Sequence, residues 1–144
     1  MRELIERMEG HSGGGYRTLN DAAAYDPGLS KGSTEIWYMK PGGMVDLSMG
    51  VRWCKKQDCL PDYENLKKTH VLLGKIKIKK LGRVFQALQG ENWSSKGEAR
   101  GLIRSKKVDH TSMMVGDIIV TKSGVYMVDK IGFYDLVTGE EVMG

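Results

Sequence analysis

Cysteine is scarce in this chain, with Cys54 and Cys59 the only two in 144 residues. A secreted domain of this size would ordinarily carry more, so the pair fits a reducing compartment and predicts free thiols. Long apolar runs are missing as well. No stretch approaches the roughly 18 to 20 residues that cross a bilayer, and the first eight residues, MRELIERM, mix charges where a secretory signal would be apolar. These absences argue against a disulfide scaffold and a membrane span, and place the expected protein in the cytoplasm. A chain of this length can bury enough surface to fold as one domain, 1–144, without a structural metal.

Acidic residues are sparse in the middle of the chain. Over residues 52–107 there are 15 Lys and Arg against 5 Asp and Glu, a local charge of +10, whereas the remainder holds 7 basic and 13 acidic residues, a charge of −6. A basic middle between acidic ends predicts an anionic partner for the middle, the competing reading being a solvated lysine-rich surface.

What is present sketches a fold. Leu4, Ile5 and Met8 have the spacing of a short helix that Gly10 would end. Residues 11–32 are rich in Gly, Ser, Asn and Asp, with Asp26-Pro27-Gly28 a turn signal, and predict an irregular or mobile segment. Residues 35–40 and 44–53 alternate around Pro41-Gly42-Gly43 and predict a hairpin. Residues 69–80 predict a strand with Leu72, Ile76 and Ile78 on one face and Lys75, Lys77 and Lys79 on the other. Leu81, Val84, Phe85 and Leu88 then follow helical spacing as far as Gly90.

Ser94 or Ser95 is placed to cap a second helix, with Leu102 and Ile103 pointing inward and Arg104, Lys106 and Lys107 complementing the C-terminal dipole. Strands over 117–121 and 125–130, joined by Lys122-Ser123-Gly124 with Gly124 at positive φ, form a C-terminal hairpin whose Ile118, Val120, Val125 and Val128 read as core. The fold predicted is α+β, an antiparallel, partly closed sheet of five or six strands with two or three short helices.

The reactive side chains support no familiar motif. Cys54, Cys59 and His70 offer three zinc ligands where a structural site needs four, so packed thiols are expected and no metal. His11-Ser12-Gly13-Gly14-Gly15 lacks the Gly-Lys-Ser/Thr ending of a phosphate-binding loop, and no cofactor is expected. Ser112, His110 and Asp109 or Asp117 can be nominated as a catalytic group. Against this, Asp109 and Thr111 suit caps of the turn into the hairpin, and Gly116-Asp117 suits a tight bend. Trp37, Trp53 and Trp93 each lie beside polar or basic residues, the setting of an aromatic that stacks on bases. Trp93 is the favoured one, its alternative being a buried ring that closes the two-helix corner.

The segment Thr69-His70-Val71-Leu72-Leu73-Gly74, the run Leu81-Gly82-Arg83-Val84-Phe85, then Trp93, and finally Thr111-Ser112-Met113-Met114-Val115-Gly116-Asp117 leading to Gly132-Phe133 together resemble a family of small, uncharacterised bacteriophage and plasmid proteins. The resemblance spans residues 69–133, about half the chain, and bounds a family-like core of 69–136. Its most specific portion is 112–117, and a basic insertion over 95–107 departs from it. It implies a mobile element as the setting and no mechanism. The Val115-Gly116-Asp117 strand start is also similar to PUA-like and ASCH-like barrels that bind RNA or modified bases.

Three functions follow as expectations. The first is a non-catalytic accessory protein that binds DNA or RNA through Lys75, Lys77, Lys79, Lys80, Arg83, Trp93, Arg100, Arg104, Lys106 and Lys107. The second is an inhibitor that docks on a host nucleic-acid-processing protein such as RNA polymerase or a defence nuclease. The third is a small hydrolase built on His110 and Ser112.

Overall fold

The computed structural model describes residues 32–42, 46–90 and 98–144. The helix expected over 2–8, most of the irregular segment 11–32, the caps Ser94 and Ser95, and Trp93 lie outside the described residues. The architecture is α+β. Six strands, β1 (Thr34–Met39), β2 (His70–Ile76), β3 (Ile118–Thr121), β4 (Gly124–Val128), β5 (Phe133–Asp135) and β6 (Glu141–Val142), form one antiparallel sheet in the order β2-β1-β3-β4-β5-β6. The sheet is open, with β2 and β6 as its edges, where a partly closed one was expected. The described helices are α1 (Val51–Lys56), α2 (Leu66–Thr69), α3 (Leu81–Ala87) and α4 (Glu98–Ser105), accompanied by single tight turns at Leu47–Met49 and Tyr63–Asn65.

The apolar alternation of β1 explains its central place. Ile36 and Tyr38, both fully buried, point into a first cluster with Ile119, Tyr126, Val128 and Phe133, roofed by Leu81 and Val84 of α3, Leu88 at its C-terminal cap and Ile103 of α4. Trp37 points the opposite way, into a second cluster with Ile118, Val125, Met127 and Tyr134, covered by Val51 and Cys54 of α1 and Leu66 of α2. A strand apolar on both faces must be covered on both, and the helices divide accordingly.

Two predicted strands are corrected. Of the strand expected over 44–53, the described residues 46–53 do not pair with β1. The described part, from Asp46, turns through Leu47–Met49 into α1, while β1 is flanked by β2 and β3. Gly50, at φ 99°, makes the junction, and Val51 N donates to Asp129 Oδ1 at 3.1 Å, so a carboxylate from the β4–β5 turn satisfies a first-turn amide of α1. The long strand 69–80 in fact ends at Ile76. Within it the register skips a residue, pairing Ile36 with Gly74 and Trp37 with Leu72. The unpaired Leu73 is a bulge, and a bulge shifts the alternation by one. Leu72 therefore packs with the second cluster while Ile76 and Ile78 pack with the first, and only the 75–79 alternation keeps the predicted faces.

The C-terminal hairpin forms as expected, with a tighter connection. Thr121 pairs with Gly124, leaving the two-residue loop Lys122-Ser123, and Gly124 belongs to the strand without a positive φ. Helices α1 and α4 end alike. Cys59 N donates to Cys54 O at 2.9 Å and Asp58 N to Lys55 O at 3.2 Å, and Val108 N donates to Ile103 O at 3.2 Å and Lys107 N to Arg104 O at 3.1 Å. Each closes a Schellman turn whose left-handed residue is not glycine, Asp58 at φ 54° and Lys107 at φ 59°.

Candidate functional site

The basic residues are arranged by the way one segment wraps the β2 edge. Helix α2 packs under the second face through Leu66, β2 runs along the edge, and the chain crosses at 77–80 to α3 on the first face. Residues 65–90 contain seven Lys and Arg and no Asp or Glu. Those seven, Lys67, Lys68, Lys75, Lys77, Lys79, Lys80 and Arg83, are all exposed. Among the described residues none of them takes part in an ion pair, not even Lys75, which stands directly across from Glu35 on β1.

Of the expected site residues, Lys75 lies on the edge strand β2, Lys77, Lys79 and Lys80 lie in the crossing that follows it, and Arg83 lies on the exposed side of α3. Arg100, Arg104, Lys106 and Lys107 are also exposed and belong to α4 or the turn that ends it, in the layer that α3 shares on the first face. Trp93, the favoured stacking residue, lies outside the described residues, and the two described tryptophans differ in burial. Trp37 is buried, with Nε1 donating to Glu35 Oε1 at 2.8 Å, and Trp53 packs against the second cluster. The aromatic that does stand out beside the lysines is Tyr63, 49% exposed in the turn that leads into α2. Its signal was legible, since Asp62, Glu64 and Asn65 leave it no apolar neighbour in sequence on either side.

A second constellation lies at the end of the sheet where β1 finishes and β2 and β3 begin. Here a cleft of about 750 Å³ is lined by Lys40, Ser48, Lys68, Thr69, Asp109 and His110, among others. Behind it Asp117, fully buried, collects Met39 N and Met114 N at 2.9 Å each and His110 Nε2 at 2.8 Å. The His110 ring stacks on Tyr38 with centroids 4.5 Å apart, and the Tyr38 hydroxyl donates to Thr111 O at 2.8 Å. Burial works against a charged His110, but Asp117, with Asp109 assisting, outweighs it and the histidine pKa is raised. Burial likewise raises the Asp117 pKa, opposed by His110 and the two amides.

The four residues nominated for catalysis are only partly assembled. His110 meets Asp117, and Asp109 Oδ1 lies 3.4 Å from His110 Nδ1. Ser112 is turned elsewhere, its Oγ accepting from Gly90 N at 2.8 Å and so tying the end of α3 to the hairpin approach. With Ser112 turned away from His110, the bond pattern of Asp117 is that of a clamp holding β1 to the 110–117 loop. His70, offered above as a zinc ligand, is bonded through Nε2 to Gly116 O at 2.8 Å and through Nδ1 to Thr69 Oγ1 at 2.7 Å. Among the described residues no group of three or more His, Cys, Asp or Glu is placed to hold a metal ion. No described helix is long and apolar enough to cross a membrane. Set against protein-family models, curated proteins and solved structures, the chain matches none of them.

Proposed function

We propose that this protein is a non-catalytic accessory protein, of a mobile element as the family resemblance implies, that binds DNA or RNA along the β2 edge. The observation that carries this reading is the run of seven exposed cations over 65–90 with no acidic residue in the same stretch and no ion pair among the described residues. A surface lysine used for solubility is commonly interspersed with carboxylates, whereas an uncompensated row following one edge matches the spaced charges of a phosphate backbone. Tyr63 adds a ring on which an unpaired base can stack, and the α4 cations extend the basic surface over the first face.

Binding through phosphates releases counterions, so affinity falls steeply with salt. The test is a titration of labelled single- and double-stranded oligonucleotides at several salt concentrations, with the wild-type protein and a Lys75→Gln, Lys77→Gln, Lys79→Gln triple variant. The reading expects a linear fall of log affinity with log salt, and a shallower slope in the variant by up to about one per lysine that contacts a phosphate. Absence of binding at low salt, or binding that ignores both salt and the three substitutions, would refute it.

A further inference from the structure

We infer that Cys54 and Cys59 form a modification site, a pair that closes into an intramolecular disulfide by exchange with a low-molecular-weight disulfide such as oxidised glutathione, without rearrangement of the fold. The geometry comes from the Schellman turn that ends α1. The 2.9 Å bond from Cys59 N to Cys54 O folds the chain back on itself, and the left-handed Asp58 completes the reversal. In this motif the side chains at the two ends of that bond lie next to each other, a contact usually made by two apolar residues. Here both are thiols. Cys54 is fully buried in the second cluster, Cys59 packs against the same cluster from a partly exposed position, and the two thiols share a hydrogen bond.

The environment divides the roles. Cys59, with access to solvent, is the sulfur that meets the reagent. Its thiolate attacks one sulfur of glutathione disulfide, forming a mixed disulfide and expelling one glutathione thiolate. Cys54 then loses its proton to solvent and attacks the Cys59 sulfur, the Cys54–Cys59 bond forms, and the second glutathione leaves. Two protein thiols are oxidised and one glutathione disulfide is reduced to two glutathiones. Burial first, then the shared hydrogen bond and the nearby Cys59, Asp129 and Asp46 charges, push the Cys54 thiol up to about 12. Scarcity of its thiolate makes the closing step slow near neutrality. A site that does not stabilise a thiolate also does not favour the reduced form, so the closed pair should resist reversal by glutathione.

The experiment incubates the purified full chain with oxidised glutathione and follows intact mass and alkylatable thiols over time. The expected product is a monomer lighter by two hydrogen atoms, with neither cysteine alkylated after denaturation. Its closing rate should rise about tenfold per pH unit between pH 7 and 9, because the Cys54 thiolate fraction rises that fast below a pKa near 12. Cys54→Ser should stop at one glutathionyl group on Cys59, and where that variant does not fold the wild-type pH dependence carries the test. A wild-type chain that keeps a lasting glutathionyl group with Cys54 free overturns the proposal, as does one that forms disulfide-linked dimers or leaves both thiols unreacted. These readouts need no nucleic acid, so they stand or fall apart from the function proposed above.

Discussion

At the scale of single residues, the buried polar groups behind the cleft matter most for stability. Asp117 is the acceptor for two backbone amides and one imidazole in a fully buried position. Asp117→Ala would leave Met39 N, Met114 N and the half-buried His110 imidazole without their acceptor. Breaking a buried pair of this kind costs about 3 to 5 kcal/mol, and the midpoint of urea unfolding at neutral pH should fall accordingly. An unchanged midpoint would show that water replaces the carboxylate.

The two histidines at this place respond to pH in opposite senses. Burial above all holds the His70 pKa down at about 4, with the Gly116 carbonyl opposing and His110 and Lys40 assisting, so the folded state keeps the ring neutral. The unfolded chain binds a proton near pH 6.5, more readily than the folded one, so the His70 contribution is complete above that pH and is lost as pH falls toward 4. The full loss is on the order of 3 kcal/mol. His110 has the raised pKa, so its contribution is present below about pH 6.5 and lost as pH climbs through the folded value. Unfolding free energies measured between pH 4 and 7 should therefore show an acid loss in wild type that is smaller in His70→Gln. An equal acid loss in the two proteins would assign it elsewhere.

At the scale of elements, α3 shows why periodicity was a reliable guide in one place and a poor one in another. Leu81, Val84 and Leu88 were expected on one face and are buried together in the first cluster. Leu88 is fully buried and its carbonyl accepts from Met113 N at 3.0 Å, which ties α3 to the approach of the hairpin. Leu88→Ala should cost about 2 to 5 kcal/mol, seen as an earlier denaturant midpoint with the slope unchanged. Arg83→Ala on the solvent side of the same helix should move it by less than about 0.5 kcal/mol. The same kind of pattern misled over 44–53, where Leu47, Met49 and Val51 alternate as a strand would. Gly50 decides otherwise, because its positive φ turns the chain into α1 and Asp129, distant in sequence, supplies the first-turn amide with an acceptor. The bulge at Leu73 was equally invisible, since a one-residue slip is set by the partner strand and β1 accepts Leu72 and Gly74 on either side of it.

For the whole molecule, the question is how dispersed charges become a surface. An interface of about five phosphate contacts would lose roughly two to three orders of magnitude in affinity between 50 and 200 mM salt for duplex DNA, and less for single strands. A loss of that size, with Tyr63→Ala weakening single-stranded more than double-stranded binding, is the expected pattern. Equal weakening of both forms would remove base stacking from the role given to Tyr63.

Composition, charge asymmetry and short-range periodicity by themselves determined the α+β class, the C-terminal hairpin, the two helices on either side of residues 91–97 and the basic middle of the chain. These depend on nearest neighbours, and the residues that decide them lie within a few positions of one another. Only the tertiary structure decided that the cations at 67–83 wrap one open edge, that Trp37 is core and Tyr63 is not, and that Ser112 turns away from His110. Each of those outcomes depends on which strand lies beside which and on which face a helix covers. They are settled by contacts between residues far apart in sequence, as in the pairing of Glu35 with Val120 and the bonds from Met39 to Asp117 and from Val51 to Asp129.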